Sequence, residues 1–264
     1  MFKLLLQSLI FRYQILFNRI IRNQRINPSE IPIIIINYNQ FKNLKIMVDF
    51  FVNRGMKKII IIDNNSDYPP LLEYYKSCSK EEITIEIMPK NLGHMVFFEN
   101  NYLQKKYAKG YYFLTDPDIL PNPNLPQDFV SHMIHTMDKY NHKITKVGFA
   151  LDLDSIPHHY PLKTKVIDWE SKYWEEMLDE DTYSAPIDTT FALYKPKFPK
   201  YSTTKGSTFY KAIRLAGNFT AKHMGWYVDP SNLSIEEKNY FNKSTASNSW
   251  KFDKDGNLDS PSNY

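Results

Sequence analysis

Two runs of isoleucine constrain this chain more than anything else in it. Residues 33–36 are four consecutive isoleucines, and residues 59–62 are four more. A β-branched run without polar alternation reads as a strand buried on both faces, and such strands belong to parallel sheets covered by helices on each side. The first strand is expected over 31–36, ending at Asn37-Tyr38-Asn39-Gln40. Helix-spaced Leu44, Met47, Val48 and Phe51 follow and stop before Gly55. The second strand, 58–62, closes on Asp63-Asn64-Asn65-Ser66, and Pro69-Pro70 opens a short helix. Residues 83–88 alternate as a third strand, Asn91-Leu92-Gly93 turns into a helix near 94–106, and 111–114 form a fourth strand. Strand and helix alternating at this rhythm predict an α/β fold, a Rossmann-like, mostly parallel sheet with right-handed crossovers.

The second half is less regular. A strand is expected over 146–151, a helix over 169–178, and a strand over 189–194. From about 229 the chain is polar and is expected to wrap the surface. No repeat and no low-complexity linker divides the body, so residues 29–264 are read as one catalytic domain.

The fourth strand ends on Asp116-Pro117-Asp118. Two carboxylates one residue apart, where a buried strand emerges, can grip a divalent cation that in turn grips a diphosphate. The spacing alone is common: Asp152/Asp154, Asp179/Asp181 and Asp253/Asp255 share it. Asp179 and Asp181 sit in a charged stretch that reads as a solvated face or loop, and Asp253 and Asp255 in a polar tail. Asp152 and Asp154 follow an apolar run and remain a weaker competitor. Only Asp116 and Asp118 close a strand of the βα series, where open α/β sheets place ligands. No Gly-x-Gly-x-x-Gly and no Walker motif follows any strand, which argues against dinucleotide oxidoreductases and P-loop enzymes.

Charge is unevenly spread. Of 33 basic side chains, Lys3, Arg12, Arg19, Arg22 and Arg25 lie before residue 26 with no acid among them, which leaves 28 basic against 29 acidic residues in the body. A near-neutral body gives no nucleic-acid footprint. Residues 2–22 place Leu5, Leu6, Leu9, Ile10, Tyr13, Leu16, Phe17, Ile20 and Ile21 on one helical side, while Leu4, Phe11 and Ile15 break the pattern. Arg12 interrupts any bilayer-spanning run, and no small-residue cleavage site follows. Residues 1–28 are therefore read as an amphipathic helix for an anionic membrane surface or for packing on the body. Cys78 is the single cysteine, so no intrachain disulfide can form, which is compatible with a reducing compartment. The localisation expected is cytoplasmic, peripheral on the inner face of a membrane.

Taken in order, Asn37-Tyr38-Asn39, Asp63-Asn64-Asn65-Ser66, Asn91-Leu92-Gly93 and Asp116-Pro117-Asp118 resemble the nucleotide-sugar half of GT-A fold glycosyltransferases, especially family 2. The likeness covers about 31–120 and extends more loosely to about 228, where 185–194 and 219–227 look like stretches of bacterial and viral transferases of surface polysaccharide synthesis. The resemblance implies a nucleotide-sugar half over 29–120, an acceptor half over 121–228 and a tail over 229–264. It implies that Asp63 receives the nucleotide base, with Asn37, Tyr38 and Asn91 in the same pocket. Asp118 becomes the direct ligand of Mn²⁺ or Mg²⁺, Asp116 lies nearer the ribose or a metal-bound water, and His223 is a further metal ligand from a late loop. Asp188 takes the place of the catalytic base of inverting members. The donor implied is a UDP-sugar and the acceptor a glycan or glycolipid. The proline inside the acidic pair, and Ile187-Asp188 in place of a double acid, depart from the common pattern.

Beside that resemblance, Arg214 and Lys222 read first as solvated surface residues and second as added charge near the phosphates, and Trp169, Glu170 and Trp174 as either an acceptor-side wall or a helix buried through its tryptophans. Two other readings stay open. A sugar nucleotidyltransferase shares the sheet and the metal chemistry but calls for a Gly-rich basic loop after the first strand, which is missing here. A catalytically silent module would bind a membrane and a partner through the N-terminal helix.

Overall fold

The computed structural model of the protein describes residues 2–78, 81–196 and 207–243. The polar end of the chain beyond 243, with Asp253 and Asp255, lies outside the described residues. The βα series begins as expected. Strand β1 (Ile33–Asn37) leads to α3 (Lys42–Asn53), after the N-terminal helices α1 (Phe2–Phe17) and α2 (Arg19–Ile26). Strand β2 (Ile59–Asp63), α4 (Pro69–Ser77) and β3 (Ile83–Ile87) follow. The helix expected near 94–106 is two helices, α5 (Val96–Glu99) and α6 (Asn101–Tyr107). It breaks because the Asn100 side chain caps α6, accepting from the N–H groups of Tyr102 at 3.0 Å and Leu103 at 3.2 Å. Strand β4 (Tyr112–Thr115) then delivers the acidic pair.

The rest of the sheet is assembled from distant segments: β6 (Lys146–Phe149), β7 (Met177–Asp179), β8 (Thr182–Ser184), β9 (Ala192–Tyr194) and β10 (Ala212–Leu215). Among the described residues one nine-stranded sheet runs β3-β2-β1-β4-β9-β6-β10-β8-β7. Only β9 and β8 run against the other strands, so the sheet is mostly parallel. In-register pairing sets Asn37 beside Asp63 at the carboxyl ends of β1 and β2. A separate two-stranded sheet joins β5 (Ile119–Pro121) to β11 (Ala221–His223).

Strand alternation explains why the isoleucine runs carry no polar residue. Ile33, Ile35, Ile59 and Ile61 face a core with Leu44, Met47 and Phe51 of α3 and Phe129, Met133 and Met137 of α7 (Phe129–Tyr140). Ile34, Ile36, Ile60 and Ile62 face the other core, with Val96, Phe97 and Leu103 of α5 and α6. Both faces are covered, as a parallel sheet requires.

Two expectations are corrected. The helix set at 169–178 is instead α8 (Lys163–Ser171), a short 3-10 turn over Lys172–Trp174, and then β7. Residues 177–184 form a hairpin on the sheet edge through Asp181, whose φ is 53°. The hairpin exists because β8 pairs with β10, some thirty residues later in the chain. Asp179 stays solvated, bonded to Lys139 and Tyr140. Arg214 is not a solvated surface residue. It is 4% exposed on β10, and its Nη1 donates to Glu170 Oε2 at 2.7 Å.

The N-terminal helix is interrupted at Asn18, whose side chain caps α2 by accepting from Ile20 N–H at 2.9 Å. The α2 helix is locked to the body. Gln24 pairs with the Tyr111 backbone in both directions, Nε2 donating to the carbonyl at 2.9 Å and Oε1 accepting from the N–H at 2.8 Å. Gly110 permits this approach: a Cβ there would stand 2.1 Å from Gln24 Oε1. Among the described residues no helix is long and apolar enough to cross a membrane.

Candidate active site

Asn37, Asp63 and Asp116 all leave the carboxyl end of the sheet, and a cavity of about 500 Å³ opens there. Its wall carries Asn37, Tyr38, Asn91, Asp116, Asp118, Asp188 and His223. Seven of the eight residues singled out from sequence therefore meet in one place. The eighth does not line it. Asp63 is 1% exposed and fully occupied: Oδ2 accepts from the Tyr75 hydroxyl at 2.7 Å, and Oδ1 from Ser66 N–H at 2.7 Å. The neighbouring Asn64 stands on the wall instead. Asn37, 0% exposed, donates from Nδ2 to the same Tyr75 hydroxyl at 2.9 Å, while its buried Oδ1 has no hydrogen-bond partner. Burial, and then the Asp63 charge, push the Tyr75 hydroxyl far above the ordinary phenol range, so it acts purely as a neutral bridge.

The acidic pair is organised by the small sheet. Strand β5 follows Asp118 directly and pairs with β11, putting Ile119 opposite His223, while Met224 N–H donates to the Asp118 carbonyl at 2.8 Å. His223 Nδ1 ends 3.8 Å from Asp118 Oδ2. That nitrogen is buried without a hydrogen-bond partner. The imidazole is held flat against Trp226, with centroids 4.8 Å apart and planes 8° apart. Gly225 leaves the space around it: a Cβ would lie 2.9 Å from His223 Cε1 and 3.0 Å from Nδ1. Two ligand bonds of about 2.1 Å span at most about 4.2 Å, so one ion can touch both groups.

Asp116 belongs to the same acidic centre. Its Oδ2 accepts from the Thr189 hydroxyl at 2.6 Å. Burial pushes its carboxyl well above the usual carboxylate range; the charges of Asp118 and Asp188 push the same way, and the Thr189 bond pulls back. Converging carboxylates of this kind are relieved by a cation. Among the described residues no group of three His, Cys, Asp or Glu side chains could hold an ion by itself. Asp118 and His223 could together offer an ion two ligands, fewer than a closed protein site supplies.

Asp188 is an exposed side chain on the turn that carries Thr189 to Asp116, its Oδ1 accepting from Thr190 N–H at 3.3 Å. The turn is fastened from beneath. Lys146, 0% exposed, donates from Nζ to the Asp188 carbonyl at 2.9 Å and to the Tyr194 hydroxyl at 3.2 Å. Its ammonium lies 4.2 Å from the Phe209 ring centroid, Phe209 preceding Tyr210 at the end of α9 (Ser207–Tyr210). Burial pushes this amine down to about 7, with the Asp188 charge opposing the shift and Arg214 adding to it.

Sequence reasoning missed Tyr240 and the burial of Arg214 against Glu170. The buried Arg214–Glu170 pair lines the cavity, with Arg214 also donating to the Pro186 carbonyl at 3.0 and 2.9 Å. A lone arginine in the apolar run Ala212–Leu215 was the available signal, because a charge inside a buried strand needs a partner. Tyr240 reaches the cavity from α10 (Ile235–Lys243), its hydroxyl pushed above the usual range by burial and by Asp118 and Asp116. Glu236 of that helix accepts from Phe41 N–H at 2.7 Å at the start of α3. Of the sequence-stated acceptor wall, Trp169 and Glu170 line the cavity, while Trp174 does not and stacks edge-on with Tyr183. Asp152 is spent on its own turn, bonding Asp154 N–H and Ser155.

No protein-family model matches the chain, and no curated protein matches it in sequence. Among solved structures, TarS 1-349 from S. aureus is similar at 12% identity with a TM-score of 0.44, covering 80% of this chain and 68% of that one. The same protein in complex with UDP-GlcNAc is similar at 11% identity and a TM-score of 0.45, over 81% of this chain and 64% of that one. An apo UDP-glucose pyrophosphorylase is similar at 11% identity and a TM-score of 0.42, over 81% of this chain and 99% of that one. With likenesses this distant, the chemistry has to come from the chain's own residues.

Proposed function

We propose that this protein is a metal-dependent glycosyltransferase that moves a sugar from a nucleoside diphosphate sugar, a UDP-sugar, to a hydroxyl of a glycan or glycolipid, with inversion at the anomeric carbon. The observation that carries the reading is the partnerless, buried Nδ1 of His223 held 3.8 Å from Asp118 Oδ2 at a strand-end cavity. Asp118 and His223 would hold Mn²⁺ or Mg²⁺, which would supply Lewis-acid stabilisation to the departing diphosphate. Asp116, fixed by Thr189, would serve the ribose or a water on that ion. Asn37, Tyr38, Asn64 and Asn91 offer amide and hydroxyl groups to the nucleoside; Asp63 shapes that pocket through Tyr75 rather than by touching the base.

On the acceptor side Asp188 takes the proton of the attacking hydroxyl. The new bond joins that oxygen to the anomeric carbon while the glycosyl–phosphate bond breaks and the nucleoside diphosphate leaves with the electron pair. Attack opposite the leaving group inverts the centre. The missing Gly-rich basic loop after β1 favours this reading over a nucleotidyltransferase. Residues 1–22 provide a peripheral contact with the inner face of a membrane.

Isothermal titration with UDP, in Mn²⁺ and then in EDTA, tests the donor site, and a panel of nucleotide sugars tests turnover. Metal-dependent heat and sugar release from one donor are expected. Absence of both with every donor removes the proposal and leaves a silent module.

A further inference from the structure

Five exposed large hydrophobic side chains gather on α1, and not on the part of α1 that grips the body. Ser8 donates to Asn141 Oδ1 at 2.5 Å, and Phe11, 3% exposed, packs edge-on against Tyr111 with centroids 6.3 Å apart. At 100° per residue, Leu6, Leu9, Tyr13, Leu16 and Phe17 all fall within about 60° of the direction opposite Phe11. They are 47%, 61%, 64%, 63% and 67% exposed. Exposed Arg12 and Arg19 flank this strip.

Beside the strip is a second feature of the same character. The exposed Arg19 and Arg22 share a groove of about 1130 Å³ with Lys57, Lys58, Lys106 and Lys109. Its acids are Glu30, Glu81 and Glu82. Glu30 is bound to Lys57 at 3.2 Å and Lys58 at 2.8 Å, and the groove keeps an excess of positive charge. An apolar strip edged by cations fits an anionic lipid surface, where each such cation is worth about 1 kcal/mol. A second copy of the chain fits poorly, because it would bring another acid-free cationic segment against the first.

The position of this face has a consequence for the substrate. The helix pair touches Tyr111, which precedes β4, and Asn141, which precedes β6; both stand at the amino ends of parallel strands. The cavity is at their carboxyl ends. Five residues of strand from Tyr111 to Asp116 span about 16 Å.

We propose that an anionic phospholipid bilayer seats on the Leu6–Phe17 strip and the adjoining basic groove, and that the catalytic cavity, at the opposite ends of the strands, is thereby held off the lipid by a strand length of roughly 16 Å. The acceptor is then a hydroxyl on a glycan that extends from the membrane or stands free of it, not a sugar joined directly to a lipid headgroup. The choice of acceptor rests on the transferase reading above; the bilayer seat does not.

Full-length wild type and a Leu9→Glu/Leu16→Glu variant are to be sedimented with phosphatidylcholine vesicles with and without phosphatidylglycerol. Wild type is expected to pellet at least tenfold more with the anionic vesicles, and the variant to stay in solution while its UDP and Mn²⁺ titration is unchanged. Equal pelleting of the two proteins overturns the seat, as does a concentration-dependent dimer in light scattering that the variant abolishes. Orientation is read without activity. In a Cys78→Ser background, a fluorophore at Lys109→Cys should transfer energy to labelled lipid strongly, and one at Asp154→Cys weakly; equal transfer overturns the orientation. On vesicle-bound enzyme, a lipid-anchored acceptor with a long glycan should be glycosylated at least tenfold faster than one with a single sugar. Equal rates overturn the acceptor assignment. Failure of UDP binding in both proteins would instead sink the transferase reading and leave the seat to the sedimentation result.

Discussion

The two ends of the sheet treat their polar groups differently. At the amino ends of the strands, polar groups are satisfied in pairs. Gln24 closes on the Tyr111 backbone in both directions, and Arg25 donates to the Tyr111 hydroxyl at 2.9 Å and to Asp138 at 3.0 and 2.5 Å. At the carboxyl ends, groups are left short of partners: His223 Nδ1, Asn37 Oδ1 and Thr190 Oγ1 are buried without a hydrogen bond, and Asp116 shares its surroundings with two other carboxylates. Unsatisfied groups of this sort cost stability. Three such groups meet on the cavity wall, although Arg54 Nε and Trp174 Nε1 are buried without a partner elsewhere, so the contrast between the two ends is one of degree.

The comparison can be broken most forcefully at the metal site. Replacing Asp118 with Asn and His223 with Ala should lower transfer by about 10³-fold, because loss of charge stabilisation on the leaving diphosphate is worth several kcal/mol. Steady-state kinetics with saturating donor read this. The metal-free fold should tolerate the change, and a variant that unfolds would mean the site is structural. Asp116 sharpens the point through pH. Its folded carboxyl titrates above the unfolded value of 3.8, so in metal-free protein its contribution is full below that pH and is lost as pH rises through the folded value. Asp116→Asn should therefore flatten the fall of Tm with rising pH in EDTA.

Next comes Asp188→Asn, expected to cost about 10²-fold in kcat with donor affinity unchanged, as loss of a general base does. Titration of UDP beside the kinetics separates the two. Gly225→Ala should be milder. Its Cβ meets the His223 ring, and disturbing a ligand's seat weakens metal-dependent UDP affinity by about tenfold.

At the satisfied end the outcome should reverse. Gln24→Leu strands the Tyr111 N–H and carbonyl, and should cost about 1–3 kcal/mol of stability by urea unfolding while kcat holds. The last effect, on stability against pH and not on kcat, belongs to Lys146. Its folded amine titrates near 7, below its unfolded 10.5, so its contribution is present above the unfolded value and is lost as pH falls through the folded one. Wild-type stability should rise from pH 7 toward 10, and Lys146→Met should remove part of that slope.

The sequence was most legible where structure is local. β1, β2, β3 and β4 appear within a residue or two of their expected places: burial on both faces writes itself into contiguous isoleucines and aromatics in β1, β2 and β4, and the edge strand β3 into alternation. The same alternation hid one thing. Neighbours on a strand end point to opposite sides, so Asp63 turned inward to Tyr75 and Asn64 outward to the cavity, and no pattern in Asp63-Asn64-Asn65-Ser66 says which. The helix expected over 169–178 is helical only to Trp174, and residues from Met177 enter a hairpin because β10 offers β8 an edge.

Four strands, their order along the chain and an acidic pair at the last of them are properties of adjacent residues, and the amino-acid sequence alone sets them. The insertion of β9 between β4 and β6, the Glu170–Arg214 bond across 44 positions and the meeting of Asp118 with His223 through β5 and β11 are not. Each joins segments far apart in the chain by backbone pairing or a buried charge contact. Backbone pairing leaves no residue-specific mark in either partner, so only the folded chain could decide which acid would stand beside which histidine.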